Sequence, residues 1–261
     1  MPENRQPGEA RQAGRTRQAA PTRQAAPTRQ AAPTSDLTGG ALCLDFANTW
    51  GDRGRPETEK LRGYADLLAF ALQTGQLTGG EAGRLGKWAE RHPGEAAAAF
   101  ARCRELRESL YRIFSAIAAR RTPPVSDLER LNAALPEALA RPRVERRGAR
   151  FVWTWRAPEA PAEPLNAPLW PTLRSAAELL TSDERRQVRE CAGSDCTWLF
   201  LDSSRNRSRR WCEMKTCGNR AKARRHYHRL RSRPGGDTSG ESPRPGRGRR
   251  TSSGLRLGEG G

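Results

Sequence analysis

The chain has 261 residues, a length that suits one or two domains, and a formal net charge of +18. No apolar run is long enough to cross a bilayer and nothing resembles a secretory leader, so the sequence reads as cytoplasmic, with its six cysteines reduced. The charge is uneven: residues 35–184 hold 21 basic and 20 acidic side chains, whereas residues 185–233 hold fifteen Lys/Arg against four Asp/Glu. That division predicts separate tasks, a neutral folded domain followed by a module suited to a polyanion.

Residues 1–34 carry the hexad Thr-Arg-Gln-Ala-Ala-Pro three times, from Thr16, Thr22 and Thr28. The copies contain no large apolar side chain, and proline recurs in each, so they build neither a core nor a helix. The expectation is a disordered arm whose spaced arginines add weak contacts to nucleic acid.

Folding is expected from Ser35, as a mainly helical α+β domain over residues 35–182 that acts as a sensor or scaffold. Ala41 to Trp50 is a short apolar element whose periodicity suits a strand and a buried helix equally. Within it Asp45 and Asn48 are candidates to line a pocket, with capping of local backbone as the favoured role. Glu59 to Thr74 reads as a helix with Leu61, Tyr64, Leu68 and Leu72 on one side, and Gly80 to Arg91 as a shorter one carrying Leu85 and Trp88. Pro93 opens a long amphipathic helix to Arg121, in which Cys103, Leu106, Leu110, Ile113, Phe114 and Ile117 recur at three- and four-residue steps. Ser126 is the expected cap of a helix through Ala140, with Pro136 kinking or shortening it.

Between Arg141 and Arg156 the period changes to two, and Arg147-Gly148-Ala149 marks a hairpin turn. Phe151, Trp153 and Trp155 share one face, read as core because the helices need a partner to cover. Interleaved with arginines, the same face has the composition of a base-stacking platform. After a proline-rich loop from Ala157 to Pro164, Leu169 to Leu180 forms the last helix of the domain, with Leu173, Ala176, Ala177 and Leu180 inward.

Nothing in the chain reads as an active site. The three histidines, His92, His226 and His228, stand at a helix boundary or in a basic run, and no phosphate loop, nucleophile elbow or zinc-protease motif is present. Cys43 and Cys103 sit in apolar runs as core thiols. The protein is therefore expected not to be an enzyme.

The chemistry concentrates in residues 185–233. Cys191/Cys196 and Cys212/Cys217 each enclose four residues, and fifteen residues separate the pairs. Four thiolates make the closed tetrahedral shell that structural zinc prefers, and clustered pairs without secretory features favour metal over disulfides. One structural Zn2+ is expected, with an iron–sulfur centre as the minor alternative. Thr197 to Leu201 reads as a strand, Asp202-Ser203-Ser204 as a turn and Ser208 to Trp211 as the returning strand. A helix follows from Cys217, with the second cysteine pair in its first turn and Ala223, Tyr227 and Leu230 facing Trp198, Phe200 and Trp211. The order is that of a treble-clef-like finger, too small to fold without its metal. Arg205, Arg207, Arg209 and Arg210 at the hairpin tip are expected to grip a phosphate backbone. Arg220, Lys222, Arg224, Arg225 and Arg229 project from the helix, with Arg220, Arg224 and Arg225 approaching bases or phosphates. The expected partner is nucleic acid, DNA favoured over RNA. The Gly/Arg/Ser-rich tail, residues 234–261, is expected to be disordered.

Cys217-Gly218-Asn219-Arg220, with Phe200-Leu201-Asp202 and Ser208-Arg209-Arg210-Trp211-Cys212 ahead of it and Ala221-Lys222 behind, resembles the CGNR-type zinc finger of bacterial, often actinobacterial, proteins. Leu44 to Thr49 resembles the opening of the ABATE domain that precedes this finger in the family. The resemblance implies a stress-responsive transcription regulator. Two rival readings use the same residues: an RNA- or ribosome-associated zinc factor, and a thiolate–zinc module for redox sensing or protein interaction. A small-molecule effector of residues 35–182 fits the sensor reading, but the sequence names none.

Overall fold

The computed structural model describes residues 34–140, 142–155 and 164–231. The expected disordered arm and tail, and most of the proline-rich loop, lie outside them.

The ambiguous apolar run is a helix, α1 (Leu42–Ala47), with Cys43, Leu44, Phe46 and Ala47 buried. A helix satisfies its backbone internally, and the remaining groups are met by side chains. Asp45 Oδ1 accepts from the Gly39 N–H at 2.7 Å, and the Cys43 N–H donates to Ser175 Oγ at 3.2 Å. Beyond α1, Trp50 bridges Glu59 in antiparallel fashion, and the Lys60 N–H donates to the Thr49 carbonyl at 2.9 Å. This pairing keeps the chain extended past Glu59, so the helix expected from Glu59 begins later, as α2 (Tyr64–Gln73). It also delivers Glu59 to Arg107, a fully buried guanidinium that donates to the two Glu59 oxygens at 2.6 and 2.5 Å. A buried cation needs such a partner, because leaving it unpaired costs several kcal/mol.

Helix α3 (Gly79–Arg91) starts at a capping box formed by Thr78 and Glu81. Helix α4 (Pro93–Ala118) is the central element, and Cys103, Leu110, Ile113 and Phe114 along it are fully buried. Helix α5 (Val125–Leu139) is entered from Pro124 without a side-chain cap, so Ser126 does not play the expected role. Asp127 in its first turn instead accepts from Arg112 at 2.6 Å and Arg130 at 3.3 Å. Pro136 falls in the last turn, and the helix runs on to Leu139.

Strands β1 (Pro142–Arg147) and β2 (Arg150–Trp155) form the expected hairpin, with Val144 opposite Trp153 and Arg146 opposite Phe151. Gly148 adopts φ +61°, which suits the first position of a two-residue type II′ turn. The aromatic face is not core, however. Phe151 and Trp153 are 74% and 49% exposed, and Trp155 is tied to the helices by donating Nε1 to the Ala138 carbonyl at 2.9 Å. The helices cover one another, so the hairpin is anchored at its root and projects beyond them. Trp153 is lined by the Arg174 guanidinium, 3.8 Å from its ring centroid.

Helix α6 (Trp170–Thr181) buries Leu173, Ala176 and Leu179, one position round from the expected stripe, with Ala177 and Leu180 half-buried. Strands β3 (Val188–Glu190) and β4 (Leu199–Leu201) then pair antiparallel. Val188 and Leu199 belong to the same apolar cluster as Phe46, Leu110, Ile113 and Trp170. The protein is thus α+β: a mainly helical domain, two small antiparallel sheets among the described residues, and a C-terminal cysteine cluster.

Candidate metal centre and nucleic-acid interface

Strand β4 is held along both edges. On one side it pairs with β3 in the register Val188–Leu201, Arg189–Phe200 and Glu190–Leu199. On the other, the Leu201 N–H donates to the Gly39 carbonyl at 2.8 Å. The buried Asn48 carboxamide takes both backbone groups of Leu199: Nδ2 donates to the carbonyl and Oδ1 accepts from the N–H, each at 2.8 Å. Asn48 therefore serves β4 as a residue of a third strand would. Local bonding describes Asp45, whereas Asn48 ends α1 through its backbone N–H to the Leu44 carbonyl and sends its side chain across to β4. Helix α4 contributes as well, since Tyr111 Oη and Ser115 Oγ donate to the Glu190 carboxylate at 3.0 and 2.7 Å.

The first cysteine pair sits in the connection between β3 and β4. The returning strand expected over Ser208 to Trp211 does not form, because β3 occupies that edge. Residues 202–211 are instead folded by the buried Asp202, which accepts from the Ser204 N–H, Ser204 Oγ and the Arg209 N–H at 3.1, 2.5 and 3.0 Å. Cys212 follows that loop, and Cys217 lies in a single π-helical turn, Met214–Gly218. Helix α7 (Asn219–Arg231) leaves from there, so the second pair precedes the helix rather than occupying its first turn. A Cβ at Gly193 would stand 3.3 Å from Cys196 Cβ and 3.5 Å from Cys191 Sγ, so glycine lets the backbone pass close to the sulfurs.

These turns bring the four Sγ atoms within 4.8 Å of one another. Cys196 and Cys212 are 3.7 Å apart, and Cys212 and Cys217 are 3.6 Å apart. A tetrahedron with Zn–S bonds of about 2.3 Å has an edge of about 3.8 Å, which these two separations match. Two donors already address the sulfurs, the Cys212 N–H to Cys191 at 3.4 Å and Arg220 Nη2 to Cys217 at 3.1 Å. Protons suit the cluster poorly. Hydrogen bonds from Cys196 and Cys212 hold the Cys191 thiol far below its ordinary range, and Cys191 in turn drives Cys196 and Cys212 up. A divalent cation removes that conflict, because it lets all four sulfurs lose their protons together.

The basic residues fall into two groups. Arg205, Arg207 and Arg210 in the loop, and Lys222, Arg225 and Arg229 on α7, point into solvent. Lys222, Arg225, His228 and Arg229 line one concave stretch of about 580 Å³. The others are engaged internally. Arg209 donates Nε to the Trp211 carbonyl at 3.0 Å and Nη2 to the Cys212 carbonyl, and stacks on Phe200 at 4.4 Å, which makes it a strut for the loop. Arg220 and Arg224 both reach Asp195, at 2.8 and 3.3 Å. Partial burial opposes the charge on Asp195, but these arginines hold its carboxyl below the usual range.

The expected inward face of α7 is not formed. Ala223 is exposed and Tyr227 is 59% exposed; Leu230 lies outside the described side chains. The π-turn directs the helix away from Phe200, Trp198 and Trp211, which pack around the cysteines without it.

Four clustered thiols at zinc spacing, set between a helical domain and a basic helix, have the donor set of a zinc finger. Residues 187–230 match the family model of the CGNR zinc finger, and residues 40–183 match that of ABATE, described as "Putative stress-induced transcription regulator". The chain belongs to the ABATE family and carries a CGNR finger at its C-terminal side. No curated protein matches it.

Proposed function

We propose that this chain is a DNA-binding transcriptional regulator whose finger holds one structural Zn2+ and presents α7 to the duplex. The observation that carries this reading is α7 itself. It starts at the metal centre and carries Arg220, Lys222, Arg224, Arg225, Arg229 and Arg231 without a single acidic residue. A 13-residue helix is marginal alone, and its like charges repel one another. A phosphate backbone relieves that repulsion. Lys222, Arg225 and Arg229 are the proposed phosphate or base contacts on the helix, and Arg205, Arg207 and Arg210 grip a neighbouring stretch of backbone. Arg224 joins them when phosphate displaces Asp195. Arg220 keeps the cysteine cluster in register with α7, and Arg209 braces the loop. The reading is non-catalytic, with the helical domain as sensor and scaffold.

An isolated projecting helix favours DNA over RNA. The major groove of B-form DNA is about 12 Å wide and admits a helix, whereas the A-form major groove is too deep and narrow for side chains to read. The test is fluorescence anisotropy with a duplex DNA and a structured RNA at matched salt. We expect tighter binding to DNA. Lys222→Ala with Arg225→Ala should flatten the dependence of log affinity on log salt by about two counterions. Preference for RNA, or an unchanged slope, would count against the proposal.

A further inference from the structure

A second concave site lies away from the cysteines, where α4 and α6 end and β3 begins. Its volume is about 720 Å³, within the range of small-molecule pockets. Ile117, Pro123, Leu128 and Leu180 form an apolar floor, and all four are only half-buried. The rim holds Arg120, Arg121, Arg185, Arg186 and Arg189. Three of these are partly spent within the chain: Arg185 and Arg186 lie 3.8 and 3.7 Å from Asp183, and Arg189 donates to the Arg186 carbonyl at 2.7 Å. Arg120 and Arg121 form no ion pair among the described residues and are exposed.

Arg120 carries a further mark. It follows the last turn of α4 at φ +56°, in the left-handed region where glycine is the usual residue. That conformation closes α4 in the manner of a Schellman cap, with an arginine rather than glycine at the left-handed position beside the hollow. The ends of α4 and α6 turn carbonyls toward this region, but the Arg120 and Arg121 N–H groups satisfy Ile117 and Ala116, and Arg185 Nη1 satisfies Ser182 at 2.5 Å.

We infer that this cavity binds a small amphipathic anion, an apolar chain on the aliphatic floor with a phosphate-type head between Arg120 and Arg121. A nucleic-acid backbone fits less well, because the floor has no aromatic ring for a base to stack on and the site is a hollow rather than a track. The site stands whether or not the finger binds DNA. It gives the helical domain a defined ligand class, and Arg189 places its rim on the strand that pairs with β4.

The test uses the full chain loaded with zinc, with octyl phosphate as the probe and thermal shift and calorimetry as readouts. Octyl phosphate should raise the melting temperature saturably, while inorganic phosphate and octyltrimethylammonium at the same concentration should not. Equal shifts from either control would overturn the site. Arg120→Gly should keep or raise the melting temperature, since glycine suits that φ, and should weaken octyl phosphate binding at least tenfold. Arg121→Ala should weaken it similarly. Unchanged affinity in both variants would refute the assignment. Lys222→Ala with Arg225→Ala should leave the affinity intact, and its loss there would move the binding to α7 and sink the proposal.

Discussion

Helices α4 and α7 both carry several arginines, yet their apolar and charged positions meet opposite fates. Helix α4 buries Cys103, Leu110, Ile113 and Phe114 completely, and two of its arginines are neutralised by the fold, Arg107 in the core by Glu59 and the exposed Arg112 by the buried Asp127. Helix α7 leaves Tyr227 in solvent, and Arg225 and Arg229 form no ion pair among the described residues. One helix is stabilised by what it packs against. The other is stabilised at its root by the cysteine cluster, and Asp195 offsets only Arg220 and Arg224 near its start. Where the counter-charge is internal an arginine is structural; where it is missing the surface is made for a polyanion.

The largest expected effect separates these two regimes directly. Cys217→Ser removes one of four ligands, and structural zinc contributes on the order of 10 kcal/mol to sites of this kind. Metal analysis should find the bound zinc lost, and hydrogen exchange should find α7 unprotected. The unfolding transition of the helical domain should persist, because its core does not depend on the ion. Loss of both regions together would erase the distinction.

A smaller effect is expected at the joint. Asn48→Ala leaves the Leu199 N–H and carbonyl without partners inside the core. An unsatisfied buried group costs about 1–3 kcal/mol, so the variant should lose about 2–5 kcal/mol in urea unfolding. Zinc content should be unchanged and exchange at the Leu199 amide faster. An unaltered midpoint would mean that β4 is not held from the helical side.

What was legible in the sequence was what is local. The stripe of α4 follows from residue spacing alone, and four cysteines in two equal pairs declare a metal site wherever the chain takes them. Strand pairing was not local. Val188 to Glu190 is a short run beside arginines, and it displaces Ser208 to Trp211 as the partner of β4 because Val188 and Leu199 share the main core. Tyr227 has the spacing of a buried residue, but the π-turn aims α7 elsewhere. Arg209 looked like one more surface charge, and only the Phe200 ring and two carbonyls reveal it as a strut. Asn48 did leave a signal: a carboxamide inside an apolar run must find partners when buried.

The mildest test concerns the helical side alone. Burial pushes the Asp45 carboxyl up to about 6 against an ordinary value near 3.8, although the Gly39 N–H pulls the other way. Between those values the folded chain binds the extra proton, so Asp45 makes stability fall as pH rises through this window, with the penalty constant above it. Asp127 has the opposite sign: burial opposes the pull of Arg112, yet its carboxyl is held low, so its contribution is lost in acid. The difference between wild type and Asp45→Asn is therefore the proper readout. A neutral amide oxygen can still accept from Gly39, so the variant should be more stable at neutral pH by about 1–2 kcal/mol, after discounting for partial exposure. That advantage should shrink as pH falls from ~6 and vanish only below pH ~3, where the wild-type carboxyl is protonated in both the folded and the unfolded chain. Zinc content and duplex affinity should not change, because Asp45 supports the scaffold and touches neither the sulfurs nor α7. A pH-independent difference would show that the Gly39 hydrogen bond, rather than desolvation, governs this carboxylate.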